Sequence, residues 1–267
     1  MANELDGKLA VITGASSGIG AATARELAGR GAQLCLGARR VEKLEALRAE
    51  IVAAHPGAQV SVGPLDVNDP SSCASFAERA AALGAVEILV NNAGLARETA
   101  PLAKGSEADW SEMIDTNLMG LLRITKRFLP GMIERRSGTI VQLGSVAGVE
   151  SYPGGAVYCA TKAGVRSITK ALRHELMGTG VRVCNIEPGA VETEFSLVRF
   201  HGDEDRARKV YEGFMPLSAE DVAEVIGFAV TRPPHVNIEE LVLYPTAQAG
   251  TMATHRGEKG ADLVKAG

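Results

Sequence analysis

Long hydrophobic runs and aromatic side chains are both scarce in this chain of 267 residues. Aromatic residues make up 4% of it, and no stretch holds 18 consecutive apolar residues. A transmembrane helix needs about 20 such residues, so the sequence predicts no membrane span. The N-terminal segment MANELDGKLA lacks the apolar core of a secretion signal. We therefore expect a soluble, cytoplasmic protein without a membrane partner.

Excess positive charge is absent as well. The 28 Lys and Arg residues are outnumbered by 32 Asp and Glu residues, and the formal net charge at pH 7 is −4. Proteins that bind nucleic acids usually carry a basic patch or stripe, whereas the pairs Arg39-Arg40 and Arg135-Arg136 are short and isolated. The charge balance thus argues against a nucleic-acid partner.

Cysteine and histidine are few and scattered. The four cysteines form no Cys-x-x-Cys pair, and the five histidines lack the spacing to cysteine or carboxylates that zinc sites show. A disulfide framework is not expected in a chain this large, and free thiols fit a reducing compartment. The sequence therefore predicts no metal site and no disulfide.

What the chain does contain is a regular alternation of short apolar runs and longer amphipathic segments. Strands are predicted at residues 9–13, 33–38, 60–65, 86–91, 139–143, 181–187 and 240–244, and helices at 18–30, 41–55, 70–83, 107–135, 154–178 and 219–231. Strict alternation of apolar strands and helices is typical of a parallel sheet covered on both faces. The prediction is an α/β fold: one doubly wound, Rossmann-type domain over residues 1–246 with a seven-stranded parallel sheet.

Two segments depart from the alternation. Residues 189–218 are charged and irregular, and a long loop beyond a strand end in such a fold is often a binding loop. We expect this segment to contact the substrate. Residues 247–267 are polar and rich in small side chains, so we expect a disordered tail or a subunit arm.

A glycine-rich turn follows the first predicted strand. Gly14, Gly18 and Gly20 have the spacing G-x-x-x-G-x-G and lead directly into a predicted helix. Glycines allow a tight turn and a close backbone approach, and the helix N-terminus offers free N–H groups to a pyrophosphate. The strand–turn–helix context favours dinucleotide binding over a turn that binds nothing.

The end of the second predicted strand distinguishes between the two nicotinamide cofactors. An acidic residue there would bind the ribose 2′-hydroxyl of NAD. This chain has Arg39 and Arg40 instead, and guanidinium groups bind phosphate bidentately. The pair predicts NADP, the alternative being two surface arginines at a helix start.

Tyr158 and Lys162 stand four residues apart in the segment YCATK. Positions i and i+4 share one face of a helix. Hydride transfer to or from a carbonyl needs an acid or base at the oxygen. A free tyrosine has a pKa of about 10, and Lys162 is expected to lower that pKa toward the working range. An ordinary surface pair would have the same spacing.

Further motifs favour the catalytic interpretation. In order along the chain they are Thr13-Gly14-x-x-x-Gly18-Ile19-Gly20, Asp66-Val67, Asn91-Asn92-Ala93-Gly94, Asn117, Ser145, Tyr158-x-x-x-Lys162, Pro188-Gly189 and Thr193. Through these motifs the chain resembles the short-chain dehydrogenase/reductase family over residues 7–245. The resemblance implies a Rossmann-type fold, hydride transfer with NADP, and assembly into a homotetramer through the long helices at 107–135 and 154–178.

The resemblance also implies roles for individual residues. Tyr158 is the expected acid/base, Lys162 supports it and holds the nicotinamide ribose, Ser145 binds the substrate oxygen, and Asn117 positions a water near Lys162. The expected cofactor-binding residues are Gly14, Ser16, Ser17, Gly18, Ile19, Gly20, Arg39, Arg40, Asp66, Val67, Asn92, Ala93, Gly94, Tyr158, Lys162, Pro188, Gly189, Val191 and Thr193. Structural alternatives exist for three of these residues. Ser145 could be a helix N-cap, Asn117 could bond nearby backbone, and Asp66 could cap the helix near Pro70.

The C-terminal third narrows the substrate class. The runs IEPGAVETEFSLVRF and LVLYPTAQA are similar to those of NADP-dependent 3-hydroxy acid dehydrogenases, which implies oxidation of serine, allo-threonine or a related acid at C3. A substrate carboxylate needs a cation, for which Arg199 is our first candidate and Arg97 the second. The alternatives are a broad NADPH-dependent carbonyl, ketone or 3-oxoacyl reductase, and a non-catalytic NADP-sensing protein.

Overall fold

The computed structural model describes residues 4–257 and contains one sheet of seven parallel strands. The strands are β1 (Leu9–Thr13), β2 (Gln33–Ala38), β3 (Val60–Pro64), β4 (Val86–Asn91), β5 (Gly138–Leu143), β6 (Val181–Pro188) and β7 (Glu240–Leu243). Their order across the sheet is β3-β2-β1-β4-β5-β6-β7. Each strand lies within one residue of its predicted bounds, and the predicted α/β fold class is confirmed.

Helices follow the strands in the alternation that the sequence indicates. They are α1 (Gly18–Gly29), α2 (Val41–Ala54), α3 (Pro70–Ala81), α4 (Glu107–Ile114), α5 (Leu121–Arg135), α6 (Ala156–Glu175), α7 (Phe195–Arg199), α8 (Glu204–Lys209) and α9 (Ala219–Val230). A π-helical turn, Asp115–Gly120, joins α4 to α5. Within residues 4–257, no helix combines the length and the apolar character that crossing a membrane requires.

The core consists of two apolar layers, one on each face of the sheet. Ala10 and Ile12 of β1 face the layer formed with α1, α2 and α9. Leu9 and Val11 face the layer formed with α3, α5 and the end of α6. Successive side chains of a strand point to opposite faces, so a strand buried on both faces is apolar throughout. This explains the continuous apolar runs of the sequence.

The strand order places a crevice above the centre of the sheet. β1 pairs with β2 on one side and with β4 on the other. The connections from β1 and β4 therefore leave the carboxyl edge in opposite directions, and ligands of doubly wound folds bind at such a point.

The segment at 189–218 is more ordered than predicted. It contains the short helices α7 and α8, and the Tyr211 hydroxyl donates to the Val191 carbonyl at 2.8 Å. Helices of five and six residues are too short to show a periodic pattern in sequence. We call residues 189–218 the substrate loop, after the role that the sequence predicts for them.

The expected disorder of the tail is wrong for residues 247–257, whereas its role as a subunit arm stays a prediction. The Gln248 side chain accepts a hydrogen bond from the Ala190 amide at 2.9 Å, and the Arg256 guanidinium donates to the Val210 carbonyl at 2.9 Å. These side chains satisfy backbone groups of the substrate loop that would otherwise need water. The rest of the tail, 258–267, lies outside the described residues.

Candidate active site

A cleft of about 380 Å³ opens at the carboxyl edge of the sheet. The structure places most of the predicted site residues along its wall. They are Gly14, Ser16, Ser17, Gly18, Ile19, Arg39, Arg40, Asp66, Val67, Asn92, Ala93, Gly94, Ser145, Tyr158, Lys162, Pro188, Gly189, Val191 and Thr193. Gly20, Asn117, Arg97 and Arg199 lie behind or beside this wall. The size is that of a small-molecule or cofactor site.

The glycine turn between β1 and α1 has no room for side chains. Gly14 and Gly18 have φ angles of +66° and +53°. A Cβ on Gly14 would lie 2.9 Å from the Ala93 Cα, and one on Gly20 would lie 2.5 Å from the Asn92 side-chain nitrogen. That Asn92 amide donates to the carbonyls of Thr13 and Gly14, so it ties the turn to the end of β4.

The first turn of α1 presents free backbone donors to the cleft. Ser17 occupies the N-cap position but makes no side-chain capping bond, and the first turn contains no acidic residue. Unsatisfied N–H groups and the positive end of the helix dipole suit a pyrophosphate. The backbone donors and the bare glycine surface therefore fit a dinucleotide.

Cationic groups line the far end of the cleft, where β2 meets α2. Arg40 donates to the Ser17 hydroxyl at 2.8 Å and to Ser16 at 3.2 Å, whereas Arg39 is exposed. Arg40 also binds the carboxylate of Glu194 at 2.8 Å, and Lys43 binds the same carboxylate at 2.7 Å. Lys43 and Arg40 hold the pKa of Glu194 down to about 2, so this carboxylate is ionised throughout the working pH range.

The sequence analysis identified neither Lys43 nor Glu194 as a site residue. Lys43 follows Arg40 by three residues at the start of a helix, a spacing that puts both cations on one face, and that spacing was the available signal. Glu194 enters from the substrate loop, far away in the chain. No local pattern could have indicated it.

Asp66 does not cap a helix. Its carboxylate accepts a hydrogen bond from the Asn68 amide at 2.9 Å, which closes a short turn. The N-cap of α3 is Asp69, which accepts from the Ser71 amide at 2.8 Å. Asp66 thus lines the cleft, and the helix-cap alternative for it is excluded.

Tyr158 and Lys162 lie on one face of α6 and point toward the ends of β5 and β6. Each is only 7% exposed. The Lys162 ammonium lies 5.9 Å from the centroid of the Tyr158 ring and donates to the Leu143 carbonyl at 2.6 Å. A surface ion pair would be solvated, so burial rules out the ordinary surface interpretation of YCATK.

Burial sets the acidities of this pair in the cofactor-free protein. It raises the pKa of Tyr158 to about 12, and the Arg199 guanidinium and the Ser145 hydroxyl oppose the rise. The cation that lowers the pKa of Tyr158 is thus Arg199, whereas the sequence analysis predicted that Lys162 would do so. Burial also lowers the pKa of Lys162 to about 8, against the attraction of the Glu187 carboxylate.

Ser145 is both a helix N-cap and a residue of the cleft wall, so it fits both interpretations that the sequence offers. Its hydroxyl accepts a hydrogen bond from the Ala147 amide at 3.1 Å and caps the short 3₁₀ helix Val146–Gly148. A hydroxyl has one donor and two acceptor positions. The remaining hydrogen-bonding capacity of the Ser145 hydroxyl faces the cleft, where its hydrogen bond with Tyr158 lowers the pKa of that tyrosine.

Asn117 lies within the π-helical turn that interrupts the predicted helix at 107–135. Its side chain accepts from the Leu95 amide and donates to the Leu95 carbonyl, both at 2.8 Å. π turns often mark functional positions because they re-aim a side chain. A Cβ on Gly94 would lie 3.2 Å from the Asn117 oxygen and 3.7 Å from the Lys162 nitrogen, so Asn117 and Lys162 flank the same small space.

The two arginines suggested for a substrate carboxylate differ in their surroundings. Arg199, on α7, lies 5.4 Å from the Tyr158 ring centroid and 5.0 Å from that of Phe195. Its Nε is buried without a hydrogen-bond partner in the described residues. Arg97 instead forms a two-pronged ion pair with Glu112 at 2.7 and 2.9 Å. Arg199 is the one of the two that has an unused donor.

Glu187, at the end of β6, is a fully buried carboxylate beneath the site. It is 0% exposed, accepts from the Asn185 amide at 2.6 Å, and lies 3.6 Å from the Arg166 guanidinium. Its second oxygen has no hydrogen-bond partner among the described residues. Burial raises the pKa of Glu187 to about 7, and the charge of Glu240 adds to the rise.

Glu187→Gln is expected to make stability less dependent on pH. A carboxyl whose folded-state pKa is raised stabilises the fold below its unfolded pKa and loses that contribution as pH rises through the folded value. A shift of this size corresponds to about 3 kcal/mol at most. Thermal unfolding should show the variant several degrees more stable than wild type at about pH 8.5, with the gain lost at about pH 4.5.

The control for that experiment is Glu239→Gln, which removes the same charge from an exposed pair with Arg173. It should shift the melting temperature little at either pH. A pH-independent difference between wild type and Glu187→Gln would contradict the assigned ionisation.

Metal ligands are not clustered in this region or elsewhere between residues 4 and 257. No group of three His, Cys, Asp or Glu side chains is arranged to hold an ion there. The donor set of the cleft is instead backbone N–H groups, hydroxyls and cations.

The glycine turn lies where the connections from β1 and β4 diverge, and a buried tyrosine and lysine lie across the cleft from it. This arrangement in a doubly wound sheet defines the class of dinucleotide-dependent oxidoreductases. Residues 8–202 match the family described as short chain dehydrogenase. This chain belongs to the short-chain dehydrogenase family.

Individual relatives are similar over nearly their whole length. The NADP-dependent 3-hydroxy acid dehydrogenase of Schizosaccharomyces pombe is 43% identical over 95% of this chain and 98% of that protein. Sulfoacetaldehyde reductase 2 of Chromohalobacter salexigens is 46% identical over 90% of this chain and 95% of that protein. A solved structure, the closed form of serine dehydrogenase complexed with NADP⁺, has a TM-score of 0.87 at 41% identity, covering 93% of this chain and 100% of that one.

Proposed function

We propose that this enzyme transfers a hydride between NADP(H) and the C3 hydroxyl or carbonyl of a small 3-hydroxy acid such as serine or allo-threonine. The observation that carries the proposal is Arg199, whose guanidinium lies beside the Tyr158 ring and whose buried Nε has no hydrogen-bond partner within residues 4–257. A neutral alcohol gives no reason to hold an unpaired cationic donor there, whereas a carboxylate two carbons from the reacting oxygen does. The S. pombe relative and the serine dehydrogenase structure support this substrate class.

Different residues of the cleft bind three different parts of NADP. The first turn of α1 takes the pyrophosphate, and Arg39 and Arg40 with Ser16, Ser17 and Lys43 take the 2′-phosphate. Lys162 holds the nicotinamide ribose. When bound, NADP accepts a hydride from the substrate in oxidation and donates one in reduction.

Tyr158 moves the proton that accompanies the hydride. In oxidation the ionised Tyr158 oxygen takes the proton of the C3 hydroxyl while the C3 hydrogen leaves with its electron pair. In reduction the Tyr158 hydroxyl returns that proton to the carbonyl oxygen. Ser145 donates to the same substrate oxygen and holds it in place. Because oxidation needs the ionised Tyr158, its rate is expected to rise with pH, and the reduction rate is expected to fall.

A second candidate substrate is a short sulfonate, favoured by the 46% identity to a sulfoacetaldehyde reductase. Sulfoacetaldehyde and a 3-oxo acid share one arrangement, since in both the reacting carbon is one carbon away from the anionic group. Arg199 would bind either anion with the same donors. A broad carbonyl or 3-oxoacyl reductase would not need this cation, and a non-catalytic NADP sensor would not need Tyr158 and Lys162 together.

Turnover with a panel of alcohols tests these alternatives. Purified enzyme is assayed for NADP⁺ reduction with L-serine, D-threonine, L-allo-threonine, 3-hydroxypropanoate, isethionate and simple secondary alcohols, and each assay is repeated with NAD⁺. Activity confined to the hydroxy acids supports the proposal, and activity confined to isethionate supports the sulfonate. Turnover of neutral alcohols alone favours a carbonyl reductase, and cofactor binding without turnover favours a sensor.

Replacing Arg39 and Arg40 together by alanine is expected to weaken NADP⁺ binding by about a hundredfold and NAD⁺ binding by much less. Two charge-assisted contacts to the 2′-phosphate are lost, at roughly 1.5 kcal/mol each, and NAD⁺ lacks that phosphate. Fluorescence titration of both cofactors measures the effect. Equal losses for the two cofactors would refute the assignment of these arginines.

We also propose a homotetramer in the cytoplasm. Several apolar side chains along residues 107–135 are about 40% exposed and would be covered by an interface between copies: Ile114, Met119, Leu122 and Ile133. All four cysteines are free and buried, as is usual in a reducing compartment.

A further inference from the structure

The substrate loop is tied to the cofactor end of the cleft by one carboxylate. Glu194 binds Arg40 at 2.8 Å through one oxygen and Lys43 at 2.7 Å through the other. The three side chains are between 41% and 43% exposed, so they meet at the mouth of the cleft and an incoming ligand can reach them.

The Glu194 carboxylate lies within a cluster of cations and hydroxyls. The two residues directly after β2 are Arg39 and Arg40, and Arg40 also contacts the Ser16 and Ser17 hydroxyls. Cations and hydroxyls together form an anion site. In the cofactor-free protein, the anion in that site comes from the chain itself.

Glu194 is also connected to the catalytic end of the cleft. It is the residue directly before α7, and Phe195 places its ring 5.8 Å from that of Tyr158. Arg199 lies at the other end of the same five-residue helix and over both rings. A change at Glu194 therefore reaches, through one short helix, the cation proposed to bind the substrate.

A 2′-phosphate competes with Glu194 for the same donors. A phosphate monoester carries about two negative charges near neutral pH and three acceptor oxygens, whereas the carboxylate carries one charge and two oxygens. If both anions stayed on Arg40 and Lys43, their like charges would repel each other. The more highly charged phosphate is the stronger ligand of the pair.

We propose that Glu194 is an internal counter-anion of the 2′-phosphate site and that Lys43 is a further residue determining the preference for NADP. The phosphate displaces the carboxylate from Arg40 and Lys43, and the released Glu194 frees the start of α7 to adjust over the substrate. Cofactor binding and the position of Arg199 are thereby coupled. This inference rests on the NADP assignment proposed above.

Calorimetric titration of the full-length, cofactor-free chain with two probes tests the proposed roles of Glu194 and Lys43. Adenosine 2′,5′-bisphosphate carries the phosphate in question, and adenosine 5′-monophosphate lacks it. Glu194→Gln is expected to bind the bisphosphate on the order of tenfold more tightly than wild type, because two exposed ion pairs no longer compete with the ligand. The monophosphate is expected to bind both proteins equally. Lys43→Gln should bind the bisphosphate about fivefold more weakly than wild type.

Glu192→Gln is the matched control. It removes the same charge two residues earlier in the loop, and the Glu192 carboxylate makes no ion pair within residues 4–257. Any long-range effect of charge will therefore be visible in this variant. Bisphosphate binding by Glu194→Gln that equals or falls below wild type overturns the counter-anion role. Unchanged bisphosphate binding by Lys43→Gln overturns the role of Lys43.

Hydrogen exchange in α7 gives a readout of the coupling. The bisphosphate should change the exchange of these amides in wild type, and Glu194→Gln should show the changed pattern without ligand. Exchange in α7 that is indifferent to both would overturn the coupling. Wild type that binds the bisphosphate no better than the monophosphate would instead refute the NADP assignment. A retained preference for the bisphosphate that Glu194→Gln leaves unchanged would refute the counter-anion alone.

Discussion

Replacing Tyr158 by phenylalanine lowers kcat by about 10³-fold, which is the expected loss when a positioned acid/base is removed. The change deletes only the hydroxyl and keeps the ring, so the packing against Phe195 at 5.8 Å is retained. NADP⁺ binding is expected to stay within a few-fold of wild type, because the pyrophosphate and 2′-phosphate contacts are untouched. Steady-state kinetics with the best substrate of the panel, together with a cofactor titration, measures both quantities.

Tyr152→Phe is the matched control for that result. Tyr152 lies in the same apolar cluster as Tyr158 but outside the cleft wall. Loss of its hydroxyl should leave kcat within about threefold of wild type, since no transferred proton passes through it. If Tyr158→Phe kept turnover within the range of Tyr152→Phe, the assignment of the acid/base would be wrong.

Arg199→Met produces the second large effect, a loss of about a hundredfold in kcat/KM for anionic substrates. A hydrogen bond to a charged partner contributes about 1.5 to 3 kcal/mol, and the loss of transition-state binding appears in kcat/KM. Methionine keeps an apolar stem against Phe195. For any neutral alcohol that wild type oxidises, the loss should stay below about tenfold, since Arg199 has no anion to bind there.

The pH profile of Arg199→Met supplies an independent readout. The Arg199 guanidinium lowers the pKa of Tyr158 in wild type. Its removal raises that pKa, so the rise of the oxidation rate with pH should move to more alkaline values. Anionic and neutral substrates are therefore compared at one common pH, where the change in the Tyr158 pKa affects both substrate classes alike.

Arg97→Met is the control for position and charge. Because Arg97 is paired with Glu112 and donates to the Val198 carbonyl at 2.6 Å, its loss should reduce stability without discriminating anionic from neutral substrates. Equal losses on both substrate classes in Arg199→Met would mean that Arg199 shapes the loop and does not bind the carboxylate.

The sequence was sufficient for the framework of this site because its elements are encoded locally. The apolar run at Leu9–Thr13, the glycines after it and the amphipathic pattern of α1 lie within about twenty residues of one another. A helix puts Tyr158 and Lys162 on one face whatever the rest of the chain does. Parallel strands joined by helices leave few possible topologies, and the observed strand order is one of them.

The substrate loop marks the limit of local reasoning. Its two short helices are held by distant groups. Arg97 donates to the Val198 carbonyl of α7, and Arg256 of the C-terminal segment donates to the Val210 carbonyl at the end of α8. Short helices are marginal without such contacts, so their own residues carry no readable pattern. For the same reason the predicted disorder of residues 247–257 was wrong.

By itself, the sequence determined the strands, the glycine turn, the pairing of Tyr158 with Lys162 and the cations after β2. Only the tertiary structure decided that Glu194 binds Arg40, that Arg97 is engaged while Arg199 has an unused donor, and that Glu187 is buried beneath Lys162. The physical reason is distance along the chain. A turn or a helix face depends on residues a few positions apart, but the partner of a charged side chain depends on which segments the sheet brings together.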